Sequence, residues 1–138
     1  MDLTKSHKAY FKAARAIAEL SDFPRVKIGC VAVYKHKIIS SGCNSTKTNP
    51  TQKRLNIYRF TVDTPHTIHA EIACLLTLIN RKDIDFRDVS LYIYRELKSG
   101  ELSIARPCDS CMALIRSLGI RYLYYTGNKS YISEEIIY

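Results

Sequence analysis

The stretch Val89–Tyr125, VSLYIYRELKSGELSIARPCDSCMALIRSLGIRYLYY, decides how the chain folds. Val89 to Tyr94 is strand-like and apolar on both faces, which predicts a central position in a sheet. Pro107 to Leu118 has the spacing of a helix, with Pro107 suited to its first turn and Gly119 to its C-terminal cap. Arg121 to Tyr125 is a second strand. A strand, a helix and a strand separated by this much chain predict a parallel crossover.

Working outward, Thr67 to Arg81 predicts a helix whose core stripe is Ile72, Leu75, Leu76 and Ile79. Val26–Tyr34 and Lys37–Cys43 are rich in Val and Ile and predict a hairpin turning at Lys35-His36. Leu3 to Leu20 predicts a first helix, with Tyr10, Ala13, Ala14, Ile17 and Ala18 at helical spacing and Pro24 barring extension. Asn44 to Pro65 reads as a long irregular loop with Lys47, Lys53, Arg54 and Arg59 beside Tyr58 and Phe60. Loops of that length are often functional. The order predicts an α/β fold in three layers, with a mixed central sheet of four to five strands flanked by helices.

The C-terminus yields to arithmetic. After Tyr125 only Thr126 to Tyr138 remain, too few for both a crossover and another parallel strand. Thr126-Gly127-Asn128-Lys129 has turn chemistry. Tyr131, Ile132, Ile136, Ile137 and Tyr138 are therefore expected to return as an antiparallel edge strand. Ser133-Glu134-Glu135 offers a terminal helical turn as the alternative.

The length of 138 residues fits one domain. The formal net charge of +8 favours an anionic partner, although a solvated basic surface would satisfy it equally. No apolar run is long enough to cross a bilayer, and the lysine-bearing N-terminus lacks the pattern of a secretory signal, so a cytoplasmic location is expected. Five cysteines, an odd number, argue against a disulfide framework. Cys30, Cys43 and Cys74 sit among apolar residues and are expected to be small buried hydrophobes.

Two clusters carry chemistry: His69-Ala70-Glu71 and Pro107-Cys108-Asp109-Ser110-Cys111. Cys108 and Cys111 are three apart and project from one helical face. Their place in a first turn favours the thiolate, the form that binds metal. His69 and Glu71 would diverge in mid-helix, yet at a helix opening both can aim at one point. One His and two Cys make three ligands, which leaves a fourth position for water, as in a catalytic zinc site. His66 competes for that position, but taking it would leave Glu71 without a purpose.

The pattern His-x-Glu followed by Pro-Cys-x-x-Cys resembles the zinc-dependent nucleobase deaminases. With the hairpin and the first helix, the resemblance to the cytidine and deoxycytidylate deaminase superfamily covers most of the chain. It implies a single deaminase domain over residues 1–138 with one catalytic zinc ion on His69, Cys108 and Cys111. It implies that Glu71 moves protons from water to the ring nitrogen and then to the departing amine. Gly42-Cys43-Asn44 is similar to the family's Gly-x-Asn, which assigns Asn44 to the substrate's sugar. Ala70, Pro107, His66 and Arg106 are the other expected substrate contacts. The expected partner is a cytosine-containing nucleotide or single-stranded nucleic acid, with no membrane, and a homo-oligomer is left open. An adenosine-to-inosine deaminase acting on tRNA shares every one of these motifs. A non-catalytic zinc-stabilised nucleic-acid-binding module is the reading from another class.

Overall fold

The computed structural model describes residues 1–59 and 66–138. Helix α1 spans Lys5–Ala18. Thr4 caps it by accepting from the His7 backbone N–H, while the His7 ring accepts from the Thr4 backbone N–H. Strands β1 (Lys27–Tyr34) and β2 (Lys37–Cys43) follow as an antiparallel hairpin. Its corner residues Lys35 and His36 both hold positive φ, 50° and 64°, as a tight two-residue hairpin turn requires.

The region 44–59 departs from the expected irregular loop. It contains a helix, α2 (Pro50–Leu55), and a 3₁₀ turn, Asn56–Arg59. The local signal is Asn49-Pro50: the Asn49 side chain accepts from the N–H groups of Thr51 and Gln52, and Pro50 opens the helix. Phe60 and Pro65 lie outside the described residues.

Helix α3 is shorter than its apolar stripe suggests, Ala70–Leu76 instead of 67–81. Thr67 is bridged to Thr48, and Ile68 exchanges backbone hydrogen bonds with Lys47 and Ser45. The backbone therefore stays extended until His69, which is the N-cap. At the other end Leu78 N–H turns to Leu75 O, a tighter three-residue closure.

Strand β3 (Val89–Glu96), helix α4 (Asp109–Leu118) and strand β4 (Tyr122–Gly127) form the crossover, with β3 and β4 parallel and Leu91 beside Leu123. Cys108 caps α4, so Pro107 lies before the helix and not in its first turn. Gly119 closes it at φ 87°, a conformation open to glycine without cost. Strand β5 (Ser130–Glu135) returns antiparallel to β4 around Asn128-Lys129, so the expected hairpin forms and the helical alternative does not, but the strand ends at Glu135 and leaves Ile136, Ile137 and Tyr138 beyond it. The sheet order is β2-β1-β3-β4-β5.

Alternation along the central strands divides the core in two. Val31, Val33, Tyr92 and Tyr94 face α1 with Phe11 and Ala14. Cys30, Ala32, Leu91 and Ile93 face α3 and α4 with Ile72, Leu75 and Ile115. The result is three layers, helix on sheet on helices, as the sequence predicts. Cys30 and Cys74 are fully buried as expected, whereas Cys43 is half-buried. No described helix is long and apolar enough to cross a membrane.

Candidate functional site

Both motifs open helices on the same side of the sheet. His69 is the N-cap of α3, with φ −84° and ψ 155°, and Cys108 is the N-cap of α4, with φ −69° and ψ 172°. Neither side chain caps its own helix. Both are thus free to project from the helix ends toward each other, and Cys111, one turn into α4, joins them. His69 Nδ1 lies 3.4 Å from Cys108 Sγ and 3.4 Å from Cys111 Sγ. The three ligand atoms lie within 4.8 Å of one another.

The donor set fits zinc. Tetrahedral bonds of ordinary Zn–N and Zn–S length place nitrogen and sulfur roughly 3.5 Å apart. The observed separations match without movement of either helix. Among the described residues the cluster has three donors, and His66 is not one of them.

The electrostatics are those of a cation site. A hydrogen bond from the Cys111 thiol above all, with others from His69 and Ser110, holds Cys108 down to about 3 against the cost of burial. Cys111 is pushed up by its bond to Cys108 and by burial. Burial pulls the His69 imidazole down, but Cys108 and the negative charge of Glu71 outweigh it and leave His69 raised. Burial pushes the Glu71 carboxyl up, and Glu71 is only 6% exposed.

A cavity of about 390 Å³ opens onto this cluster. His69, Glu71 and Cys108 line it, and so does Asn44. Asn44 is locked into the hairpin's end. Its Oδ1 accepts from Ser21 Oγ at 2.7 Å and Ile28 N at 2.9 Å, and its Nδ2 donates to Val26 O at 2.8 Å. Arg106 also lines the cavity, with its fork held by Glu134 at 2.9 Å on both branches. The side chains of Ala70 and Pro107 are buried beside the lining residues and not among them. His66 does not line the cavity either; its Nδ1 lies 3.1 Å from Asn56 Nδ2.

Of the basic and aromatic residues expected from the 44–65 region, Arg59 reaches the cavity, while Lys53, Arg54 and Tyr58 are exposed elsewhere. Two residues have no counterpart in the sequence reading. Arg95, at the end of β3, lines the cavity. Gln52 is fully buried and its side-chain carbonyl accepts from the His69 backbone N–H. No motif marks either one, since both reach the site only through tertiary placement.

A buried carboxylate beside a His-Cys-Cys cluster suited to a metal, facing an open cavity, defines the zinc hydrolase class. The profile of the cytidine and deoxycytidylate deaminase zinc-binding region matches residues 4–126, and the chain belongs to that family. Among curated protein sequences there is no match. Among solved structures, the chain is similar to the apo dCMP deaminase of cyanophage S-TIM5, at 22% identity and TM-score 0.62, covering 91% of this chain and 84% of that one. The same enzyme in complex with dCMP and dUMP aligns at 19% identity and TM-score 0.61, covering 90% and 83%. The cytidine deaminase of Burkholderia pseudomallei aligns at 18% identity and TM-score 0.64, covering 96% and 93%.

Proposed function

We propose that the protein hydrolyses the amino group of cytosine in a nucleotide, yielding uracil and ammonia, with Glu71 as the proton carrier. One observation carries this reading. Glu71 is buried, stands two residues beyond His69, and lines the same cavity as His69 and Cys108. A structural metal site has no use for such a carboxylate. When bound, zinc brings the pKa of its water near neutrality and so supplies the nucleophile.

The chain's own residues do the rest. His69, Cys108 and Cys111 would hold the metal. Glu71 takes one proton from water and passes it to N3 of the cytosine, then takes the remaining proton from the new C4 hydroxyl and delivers it to the departing amine as the C4 carbonyl forms. Its burial raises its basicity toward the working range of a general base. Asn44 has one amide hydrogen not committed to Val26, enough to meet a sugar hydroxyl.

A mononucleotide is favoured over a polynucleotide. Single-stranded nucleic acid is served by several stacking residues, yet Tyr58 does not line the cavity and Phe23 is the one aromatic ring other than His69 that does among the described residues. Arg59 and Arg95 suit a small anion. The cyanophage relative, solved with dCMP and dUMP, supports the same choice. Residues 1–138 act here as one deaminase domain in the cytoplasm.

The test is ammonia release and zinc content with dCMP, cytidine, single-stranded DNA and RNA, and a tRNA anticodon stem. Turnover of dCMP by the wild type and its loss in Glu71→Gln is the expected result. Inosine formed in the tRNA stem, or near-normal turnover by Glu71→Gln, would overturn the reading.

A further inference from the structure

Arg95 occupies an unusual position. It lies across the β1–β3 ladder from Ile28, whose N–H binds Asn44 Oδ1. Arg95 and Asn44 thus share one wall of the cavity. The backbone at Arg95 is fixed: its N–H donates to Thr126 Oγ1 at 3.1 Å, and Thr126 is fully buried. The Thr126 hydroxyl also donates to Ser103 O at 2.7 Å, tying the chain that follows β3 to the same point.

The side chain is far less satisfied. Arg95 Nε is buried and has no hydrogen-bond partner among the described residues. Nη1 reaches the Ile104 carbonyl at a long 3.4 Å. Arg106 differs, because both branches of its fork are taken by Glu134. A buried donor without an acceptor costs free energy, more so on a charged group. Glu71 is the one acidic residue lining the cavity among the described residues, and it is committed to the reacting end. An anion brought by the ligand would complete Arg95, whose planar fork matches a phosphate.

We propose that Arg95 is the specificity-determining residue for a phosphate group attached to the substrate's sugar. The order along the wall is base at His69 and Glu71, sugar at Asn44, phosphate at Arg95. The inference rests on the deaminase reading for that order, but not for the anion itself. The phosphate has two sources, the 5′-phosphate of a mononucleotide or a phosphodiester of a single strand.

The experiment compares wild type, Arg95→Gln and Arg95→Lys on dCMP, deoxycytidine and a short deoxycytidine-containing oligonucleotide. Loss of one partner of a buried charge pair predicts that Arg95→Gln lowers kcat/KM on dCMP on the order of 10²-fold, chiefly through KM. Deoxycytidine turnover should change less than about 3-fold, and Arg95→Lys should recover part of the loss, having the charge without the fork. If the oligonucleotide and not dCMP is the substrate that loses turnover, the proposal holds and the phosphodiester is the source. Equal losses on dCMP and deoxycytidine, or none on any phosphorylated substrate, overturn it.

A second arm needs no turnover. Inorganic phosphate and dUMP should raise the melting temperature of the wild type, and Arg95→Gln should lose that response. Phosphate stabilisation that depends on Arg95, in a protein that deaminates nothing, sustains this inference and defeats the deaminase reading. Active enzyme whose phosphate response survives in Arg95→Gln does the reverse.

Discussion

The side-chain carbonyl of Gln52 accepts the backbone N–H of His69 at 3.0 Å. The same amide donates to Asn56 Oδ1 at 2.8 Å and to Ser110 Oγ at 3.4 Å. Ser110 Oγ in turn lies 3.0 Å from Cys108 Sγ. One fully buried amide on α2 thus links the openings of the two motif helices, and with them His69 and Cys108 of the candidate metal site.

Replacing Gln52 with Leu should loosen that link while keeping the volume. The His69 N–H would be left buried without its acceptor, at a cost of about 1–3 kcal/mol in unfolding free energy. Removing a group that orients metal ligands typically lowers metal affinity about 10- to 100-fold. Competition with a chromophoric chelator measures the second effect and urea unfolding the first. An unchanged zinc Kd would show that Gln52 is only filling space.

Gln52 also marks where sequence reasoning stops. The grouping of His69, Cys108 and Cys111 was legible because each motif is short, and because a helix opening lets neighbouring residues converge. The hairpin was legible from Val- and Ile-rich runs on either side of Lys35-His36. The terminal strand was legible from length alone, since Thr126 to Tyr138 cannot hold a crossover. By contrast, the stripe of Ile72 to Ile79 could not reveal that Thr67 would be bridged to Thr48 and delay the helix. Periodicity reports which face is apolar and says nothing of a competing backbone partner. Arg95 and Gln52 reach the site from a strand end and from a helix that periodicity did not find. Only Asn49-Pro50 announced that helix locally.

Metal and proton roles should separate cleanly. Cys108→Ala and Cys111→Ala should lower bound zinc and also lower the melting temperature, because metal binding is coupled to folding. Glu71→Gln should keep the metal and the fold yet lose at least about 10²- to 10⁴-fold in turnover. Elemental analysis beside a kinetic assay makes the comparison. Purified protein holding about one zinc despite either Cys substitution would remove those residues from the ligand set.

The Arg106–Glu134 pair gives the protein an acid-sensitive tie between the cavity and β5. Arg106 above all, with a hydrogen bond from the Tyr125 hydroxyl at 2.7 Å, holds Glu134 below its ordinary value of 4.5. A carboxyl depressed in the folded state stabilises fully above its unfolded pKa, and that contribution disappears as pH falls through the folded one. Stability should therefore be insensitive to Glu134 at neutral pH and fall below about pH 4.5. In Glu134→Gln that part of the acid dependence should be missing. Since Glu134 is half-buried and Arg106 exposed, the effect should be small, as partly solvated pairs are. Thermal melts at a series of pH values from neutral to acid test it, and identical acid slopes for both proteins would count against the tie.

Two glycines should fail in different ways, because they press different helices against the sheet. A Cβ on Gly42, in β2, would meet the Cys74 backbone nitrogen and lie 2.8 Å from the Ala73 carbonyl carbon, inside α3. A Cβ on Gly29, in β1, would meet the Ala14 carbonyl oxygen and lie 3.1 Å from the Ala14 carbonyl carbon, inside α1. Neither helix backbone can yield by rotating a side chain, so each must move bodily. Overpacking of this kind costs about 1–3 kcal/mol or more, and both Gly→Ala variants should be destabilised to that extent. Their effect on the site should differ. His69 is the N-cap of α3, so a displaced α3 moves the imidazole and Glu71 relative to the two thiols at the opening of α4. Helix α1 packs on the opposite face, against Val31, Val33 and Tyr92, and carries none of the ligands. Gly42→Ala should accordingly weaken zinc binding and turnover beyond what its loss of stability explains. Gly29→Ala should lower the melting temperature while leaving the zinc Kd of the folded protein near that of the wild type. Measured well below both melting temperatures, the reverse order of zinc affinities would show that the ligand geometry is not set by how α3 seats on β2.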